Sequence, residues 1–369
     1  MEEERLWKAC KTGKVEEVIE LLQHSQLNIN WRDLKYLRTP LYIACTFGWI
    51  DIVKLLLNDE RIDLNKPNGD GKTPLYIACQ KEEIETTPEV LLNDQRVNVN
   101  QGTNSGETPF RFDCNKGRIE IVKLLLNDRR IDINKANNYG WTPLHCVCGY
   151  RYIEVVKLFL SDKRVDINKA LNSGETPFYI ACQNGHIEVV KLLLNDHRVD
   201  INQANVDGKT PFYIACSERH IEIVKLLLND RRIDINKANH YGRTPFHVAC
   251  SKGFIEIVKL ILDDHRVDIN KVDENGYTPF RSACENGHIG IVEYLLAFRK
   301  MDKQDNNEKF FFLDAVREKE YEDVRAWGNE GIIQRQYGII AELLESFERN
   351  PIETRTRLRM QLKLTGKFN

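Results

Sequence analysis

Apolar and polar residues follow one another along this chain on a helical period, in short bursts. From Ile187 the apolar side chains fall at Ile187, Val190, Leu193 and Leu194, the i, i+3, i+6, i+7 spacing that lines one face of a helix. Glu188 and Lys191 stand on the opposite face, and the same pair returns as Glu120/Lys123, Glu154/Lys157, Glu222/Lys225 and Glu256/Lys259. Such exposed pairs each add roughly 0.2–0.5 kcal/mol. A shorter burst precedes each of these and opens on Thr-Pro, where threonine caps a helix and proline at the first helical position sacrifices no needed N–H. Gly185 ends the one that Thr176 begins. The pattern predicts pairs of short helices, neither of which can bury its stripe alone, so the pairs must stack.

Thr-Pro recurs at Thr39, Thr73, Thr108, Thr142, Thr176, Thr210, Thr244 and Thr278, at intervals of 34 with a single 35. Each heads a near-copy of Gly-x-Thr-Pro-Leu/Phe-x-x-Ala-Cys-x-x-Gly-His-Ile-Glu-Ile-Val-Lys-Leu-Leu-Leu. This unit resembles the ankyrin repeat, and the match runs from about Glu3 to Phe298. The resemblance implies an all-α solenoid of stacked helix-turn-helix units with hairpin loops. Each unit here is longer than the family's usual one, and the extra residue falls after the second helix, in Asn195-Asp196-His197-Arg198. Asn195 or Asp196 is expected to supply the left-handed cap there.

Four segments follow. Residues 1–34 form an N-terminal capping repeat, since Leu6, Ala9, Gly13, Val15, Val18, Leu21 and Leu22 keep the two-helix spacing without Thr-Pro. Residues 35–298 hold eight repeats. Residues 299–349 read as a degenerate capping pair with an insertion. Its first helix is placed at Asn307–Val316 and its second at Gln336–Phe347 (Ile340, Leu343, Leu344, Phe347), in preference to Glu320–Trp327. Residues 350–369 form a short basic helical tail: Arg355–Leu364 alternates like a strand, but the helix start Asn350-Pro351-Ile352-Glu353 decides for a helix.

Three local departures stand out. Glu82-Glu83 and Ile84-Glu85-Thr86-Thr87-Pro88 disturb the second repeat, where Thr87 is expected to cap a helix with Pro88 in first place. Arg151 and Arg219 occupy the inter-helix glycine position, where positive φ costs a non-glycine residue roughly 1 kcal/mol. Asp113 replaces a small alanine and is expected either at the core edge or paired with Arg111 or Arg118.

Composition removes several function classes. Lys and Arg number 53 against 55 Asp and Glu, so the whole chain is no electrostatic binder of nucleic acid or anionic membrane. The start, Met1–Arg5, is acidic with no long apolar run behind it, so neither a secretory signal nor a membrane span is expected. Of ten cysteines, Cys45, Cys79, Cys114, Cys148, Cys182, Cys216, Cys250 and Cys284 repeat at one position of the first helix. Helix axes ~8–10 Å apart hold such thiols beyond disulfide reach. They imply a reducing compartment, cytoplasmic with the nucleus as second choice.

Chemistry is sparse. His145-Cys146-Val147-Cys148 invites a metal, yet Cys146 and Cys148 point about 200° apart on a helix. Gly71-Lys72-Thr73 and Gly208-Lys209-Thr210 imitate the end of a phosphate loop but lack its first glycine, with Lys66 and Gln203 in its place. No catalytic, cofactor or metal residues are assigned, and the expectation is a non-enzyme without small-molecule substrate, probing neither nucleic acid nor membrane, and monomeric.

The resemblance places binding on hairpin tips and the exposed side of the first helices, a concave surface in ankyrin-type stacks, at positions that vary between units. Large side chains there are Tyr36, Arg38 and Phe47 in the first unit, Tyr139, Trp141 and Tyr150 in the fourth, His240, Tyr241 and Arg243 in the seventh, and Tyr277 in the eighth. Tyr, Trp and Arg are the commonest interface hot spots. The reading is a protein-interaction scaffold. One alternative is an adaptor, of a ubiquitin-ligase-type assembly for example, whose tail 299–369 docks an enzyme complex. Another is a substrate role, because Asn202 and its equivalents resemble ankyrin asparagines that are hydroxylated.

Overall fold

A computed structural model describes residues 2–81, 86–298 and 330–363, which divide into two compact units. The first comprises residues 1–181 and 191–199, the second residues 182–190 and 200–369. All described secondary structure is helical.

In the first unit the pairs are Glu2–Thr12 with Val15–Leu22, Pro40–Phe47 with Ile50–Leu57, Pro74–Gln80 with Thr86–Leu92, Pro109–Lys116 with Ile119–Asn127, and Pro143–Gly149 with Ile153–Ser161. Successive first helices lie against one another, and of the second helices Val15–Leu22 lies against Ile50–Leu57, Ile50–Leu57 against Thr86–Leu92, and Ile119–Asn127 against Ile153–Ser161. In the second unit Pro211–Ser217 with Ile221–Leu228, Pro245–Ser251 with Ile255–Leu262, and Pro279–Glu285 with Ile289–Ala297 repeat the arrangement. The remaining Thr-Pro pair, Pro177–Gln183 and Ile187–Leu194, contributes residues to both units.

Capping sets where each first helix begins. The hydroxyls of Thr39, Thr73, Thr108, Thr142, Thr176, Thr210, Thr244 and Thr278 each accept the N–H three residues on, at 3.0–3.3 Å. All eight threonines are buried, so the cap also removes a polar group that would otherwise lie unpaired in the stack. Glycine with φ near +70° ends several of these helices, as at Gly48 and Gly117, and Arg151 (φ 63°) and Arg219 (φ 60°) adopt the same left-handed conformation. The buried stripe of Ile187–Leu194 differs from the expected spacing. Val189, Val190 and Leu193 are fully buried, while Ile187 and Leu194 are half-buried at the helix ends beside the turns.

The extra residue of each unit closes the second helix in an unexpected way. Neither Asn195 nor Asp196 is left-handed; among the described residues positive φ outside glycine occurs at Leu37, Arg151, Arg219 and Lys363. Instead the Asp196 carboxylate accepts the Arg198 N–H at 3.0 Å and its guanidinium at 2.6 Å, and Arg198 reaches on to the Leu160 carbonyl at 2.9 Å. The same Asp-x-Arg clamp holds Arg96 on Leu57, Arg130 on Leu92, Arg164 on Leu126 and Arg266 on Leu228. An arginine thereby satisfies a helix-end carbonyl of the preceding pair, which removes the need for a left-handed cap. The guanidinium beside each aspartate (Asp59, Asp94, Asp128, Asp162, Asp196, Asp230, Asp264) holds its carboxyl below the usual range.

Asparagine links successive hairpins. Asn134 Nδ2 donates to the Arg164 carbonyl at 2.7 Å while its Oδ1 accepts the Asp166 N–H at 2.8 Å. Asn202 does the same toward Arg232 and Asp234, at 2.7 and 2.9 Å.

In the second repeat the helix runs Thr86–Leu92, so Thr87 lies inside it rather than capping it, and its buried hydroxyl has no hydrogen-bond partner. Pro88 still sits in the first turn, where no intrahelical N–H is required of it. The proposed helices Asn307–Val316 and Glu320–Trp327 lie outside the described residues. Beyond them, Glu330–Arg349 packs on Ile289–Ala297 and buries Ile340, Leu343, Leu344 and Phe347. Asn350 caps Pro351–Gln361 by accepting the Glu353 N–H at 3.2 Å. The strand-like alternation is thus helical: Thr354 and Leu358, one turn apart, are buried, and Arg355 and Arg359 donate to the Leu296 and Ala297 carbonyls at 3.4 and 3.0 Å.

Candidate functional site: hairpin tips and first-helix ends

The tips form hydrogen-bonded rows. Gly69 N–H donates to the Tyr36 carbonyl, Asn104 N–H to Asp70 and Asn138 N–H to Ser105, at 3.0–3.1 Å. In the second unit His240 N–H donates to Asp207 and Glu274 N–H to Tyr241. Asn137 fixes the fourth tip, its side-chain oxygen accepting the N–H of Tyr139 at 3.1 Å and of Trp141 at 3.0 Å. Variable side chains are therefore mounted on a shared backbone scaffold.

Of the expected binding residues, Tyr139 (70% exposed), Tyr241 (64%), Tyr150 (58%), Tyr36 (47%) and Phe47 (45%) face solvent. His240 is exposed as well, and Arg243 is exposed but ion-pairs through Nε with the buried Asp273 carboxylate at 3.3 Å. Tyr150 stacks on Tyr152, ring centroids 6.0 Å apart. Three others are committed internally. Trp141 is half-buried with its ring edge-on to His145 at 5.8 Å. Arg38 lies between the rings of Trp7 and Tyr36, at 5.4 and 4.5 Å, and ion-pairs with Asp33 at 3.1 Å. Against the cost of partial burial, that guanidinium keeps the Asp33 carboxyl below its usual range. Tyr277 is half-buried with the Arg281 guanidinium 3.6 Å from its ring centroid.

Some exposed apolar groups have no counterpart in the sequence reading. Leu34 (94%) and Leu37 (38%, φ 56°) flank Tyr36 on the first tip, and Trp49 (40%) covers Gly13 from the following turn. Leu34 and Leu37 carry no periodic signal because the tip is irregular. Trp49 occupies the turn position held by His186, His220 and His288 in later pairs, and comparison of units down that column would have found it.

The titratable groups are structural. His145 and His247 complete capping boxes, each Nδ1 accepting the N–H of its own threonine at 3.3 and 3.1 Å, which puts the proton on Nε2. Nε2 then donates to the next tip, at the Glu175 and Tyr277 carbonyls, both 3.0 Å. Burial pulls His145 down to about 4 and lowers His247 as well. The ten cysteines are buried free thiols, and burial pushes Cys10 up to about 12 and Cys146 up to about 11. Asp113 is fully buried and pairs with Arg118 at 3.4 Å, while Arg111 turns instead to Glu107 at 2.7 Å and the Cys146 sulfur at 3.0 Å. Burial pushes the Asp113 carboxyl up to about 7, against the opposing pull of Arg118 and the Cys79 thiol. Among the described residues no group of three His, Cys, Asp or Glu is placed to hold a metal, and no helix is long and apolar enough to cross a membrane.

Comparison with known proteins agrees with this geometry. The family described as ankyrin repeats (3 copies) matches residues 6–101, 87–171, 159–239 and 231–309. A stretch of 66 residues, 18% of the chain, is 30% identical to alpha-latrotoxin-Lg1a of Latrodectus geometricus, and that stretch is 5% of the toxin's length. With capped helix pairs, left-handed inter-helix turns and linked hairpin tips repeating across the span that the family covers, this chain belongs to the ankyrin repeat family.

Proposed function

We propose that the protein is a non-catalytic interaction scaffold that binds a partner protein through its hairpin tips and the ends of its first helices. Ankyrin repeats generally mediate protein–protein interaction. The observation that carries the reading for this chain is the pair of exposed tyrosines of the fourth unit, Tyr139 and Tyr150, held on a tip and helix whose backbone groups are already satisfied. Rigid aromatic side chains on a fixed frame lose little entropy when covered. Ten buried free thiols support a reducing compartment, cytoplasm or nucleus. The placement of Gln336 beside Gly287, where His220 stands beside Gly185, supports Gln336–Phe347 as the second helix of a closing pair. The engagement of Arg355 and Arg359 with the Ile289–Ala297 helix supports the basic tail as part of that closure, rather than as a docking arm for an enzyme complex.

Capture from lysate tests the reading. Tyr139→Ser with Tyr150→Ser should abolish recovery of bound partners while leaving the thermal transition in place. Unchanged recovery would contradict it.

A further inference from the structure

The eighth residue after each Thr-Pro threonine closes the first helix of its pair, and in four successive pairs of the first unit it is Phe47, Lys81, Lys116 and Tyr150. The helices that carry them pack side by side, so the four make a row with steps of ~8–10 Å. The tip row, linked through the carbonyls of Tyr36, Asp70 and Ser105 and ending at Tyr139, accompanies it. Both rows begin and end on exposed aromatic rings, and three steps separate the ends by ~24–30 Å.

Between the ends the described residues of the two rows include three lysines, Lys72, Lys81 and Lys116. Lys72 Nζ lies 5.6 Å from the Tyr76 ring, that ring lies 5.3 Å from Phe112, and Lys116 Nζ lies 5.9 Å from Phe112. Lys72 Nζ donates to the neutral Gln80 amide at 3.4 Å. Among the described residues no carboxylate pairs with Lys72, Lys81 or Lys116. On the second helices, by contrast, lysine is neutralised by its own glutamate, as Lys123 by Glu120 at 2.9 Å and Lys157 by Glu154 at 2.6 Å. Glu107 is held by Arg111, which among the described residues of these tips leaves Asp70 as an exposed counter-charge.

We propose that this row binds an extended acidic segment of a partner protein. Apolar side chains of the segment sit on the aromatic ends, and carboxylates between them meet the lysines. A strand advances ~3.3 Å per residue, so the apolar anchors lie about seven to nine residues apart. This rests on the protein-binding reading above and specifies the occupant of the same face.

The test is fluorescence anisotropy on the full chain with three labelled synthetic peptides. One carries aromatic ends and an Asp/Glu centre, one the same ends and a Lys centre, and one the acidic centre with Ser ends. The first is expected to saturate at least about tenfold more tightly than the other two and to weaken from about 50 to about 500 mM salt. Lys72→Glu with Lys116→Glu should reverse the preference toward the basic peptide while circular dichroism stays unchanged. Equal binding of acidic and basic peptides, binding of none, or indifference to charge reversal would overturn the proposal. If the peptides fail but the Tyr139/Tyr150 variant still loses its lysate partners, the acidic segment is refuted and the protein-binding reading survives. If that variant keeps its partners, the broader reading falls.

Discussion

Asp113 is the sharpest test of how the stack is held together. At the equivalent position stand Ala44, Ala78, Ala181, Ala215, Ala249 and Ala283, with Val147 in the fourth unit, all fully buried. The Asp113 carboxyl, raised by burial from its ordinary 3.8 to about 7, takes up a proton more readily in the folded chain than in the unfolded one. Stability from this group is therefore greatest below about pH 4 and is lost as pH rises through about 7. Three pKa units at 1.36 kcal/mol each make the full loss ~4 kcal/mol, of which ~2.5 kcal/mol falls between about pH 5 and pH 8. Asp113→Ala removes the titration, and Arg118 keeps its bonds to the Cys79 and Gln80 carbonyls. Because repeat arrays open locally, the assay is native-state hydrogen exchange in the helices Pro74–Gln80 and Pro109–Lys116. The ratio of variant to wild-type protection cancels intrinsic pH effects and should grow about seventyfold from pH 5 to pH 8. A ratio independent of pH, or one that shrinks as pH rises, would refute the reasoning.

Other sites carry their own expectations. Gly185 has φ +75° and an added Cβ would lie 2.6 Å from His220 Cε1, so Gly185→Ala should cost more than the ~1 kcal/mol of the backbone penalty alone; His220→Ala in the same chain should recover the steric part in urea melts. Asn134→Ala severs two inter-hairpin bonds and should lower stability by about 1–3 kcal/mol, read from chemical denaturation. His145, lowered by burial from 6.5 to about 4, binds its proton less readily when folded. Stability is lost as pH falls through that interval, by ~3 kcal/mol in all, and a His145→Gln variant should show a flatter acid titration of its melting temperature. Thr210→Ala removes a buried cap and should cost ~1 kcal/mol by the same denaturation assay.

What could be read from the residues was what neighbours in the chain decide. Thr-Pro specifies a cap and a first turn within four residues, and the positive φ of Arg151 and Arg219 followed from their place in the unit. Contacts between units were less legible. The Asp-x-Arg clamp and the asparagine bridges join residues 30 to 39 apart in sequence. Their recurrence was visible, but their partners were not, so a left-handed cap was expected where arginine does the work. Arg38 and Trp141 illustrate the same limit at the candidate site. Their positions implied exposure, yet Trp7 and Asp33 hold the one and His145 the other. Thr87 fails for a local reason: the helix begins at Thr86, two residues before the expected Pro88, and strands the Thr87 hydroxyl.

Site-specific photo-crosslinking tests the binding account most directly. A benzophenone amino acid placed at Tyr139 or Tyr150 is expected to form adducts with a bound protein, whereas the same group at Glu154 or Glu222, on second helices, is expected to form few. Adducts concentrated at the second-helix positions would contradict the account.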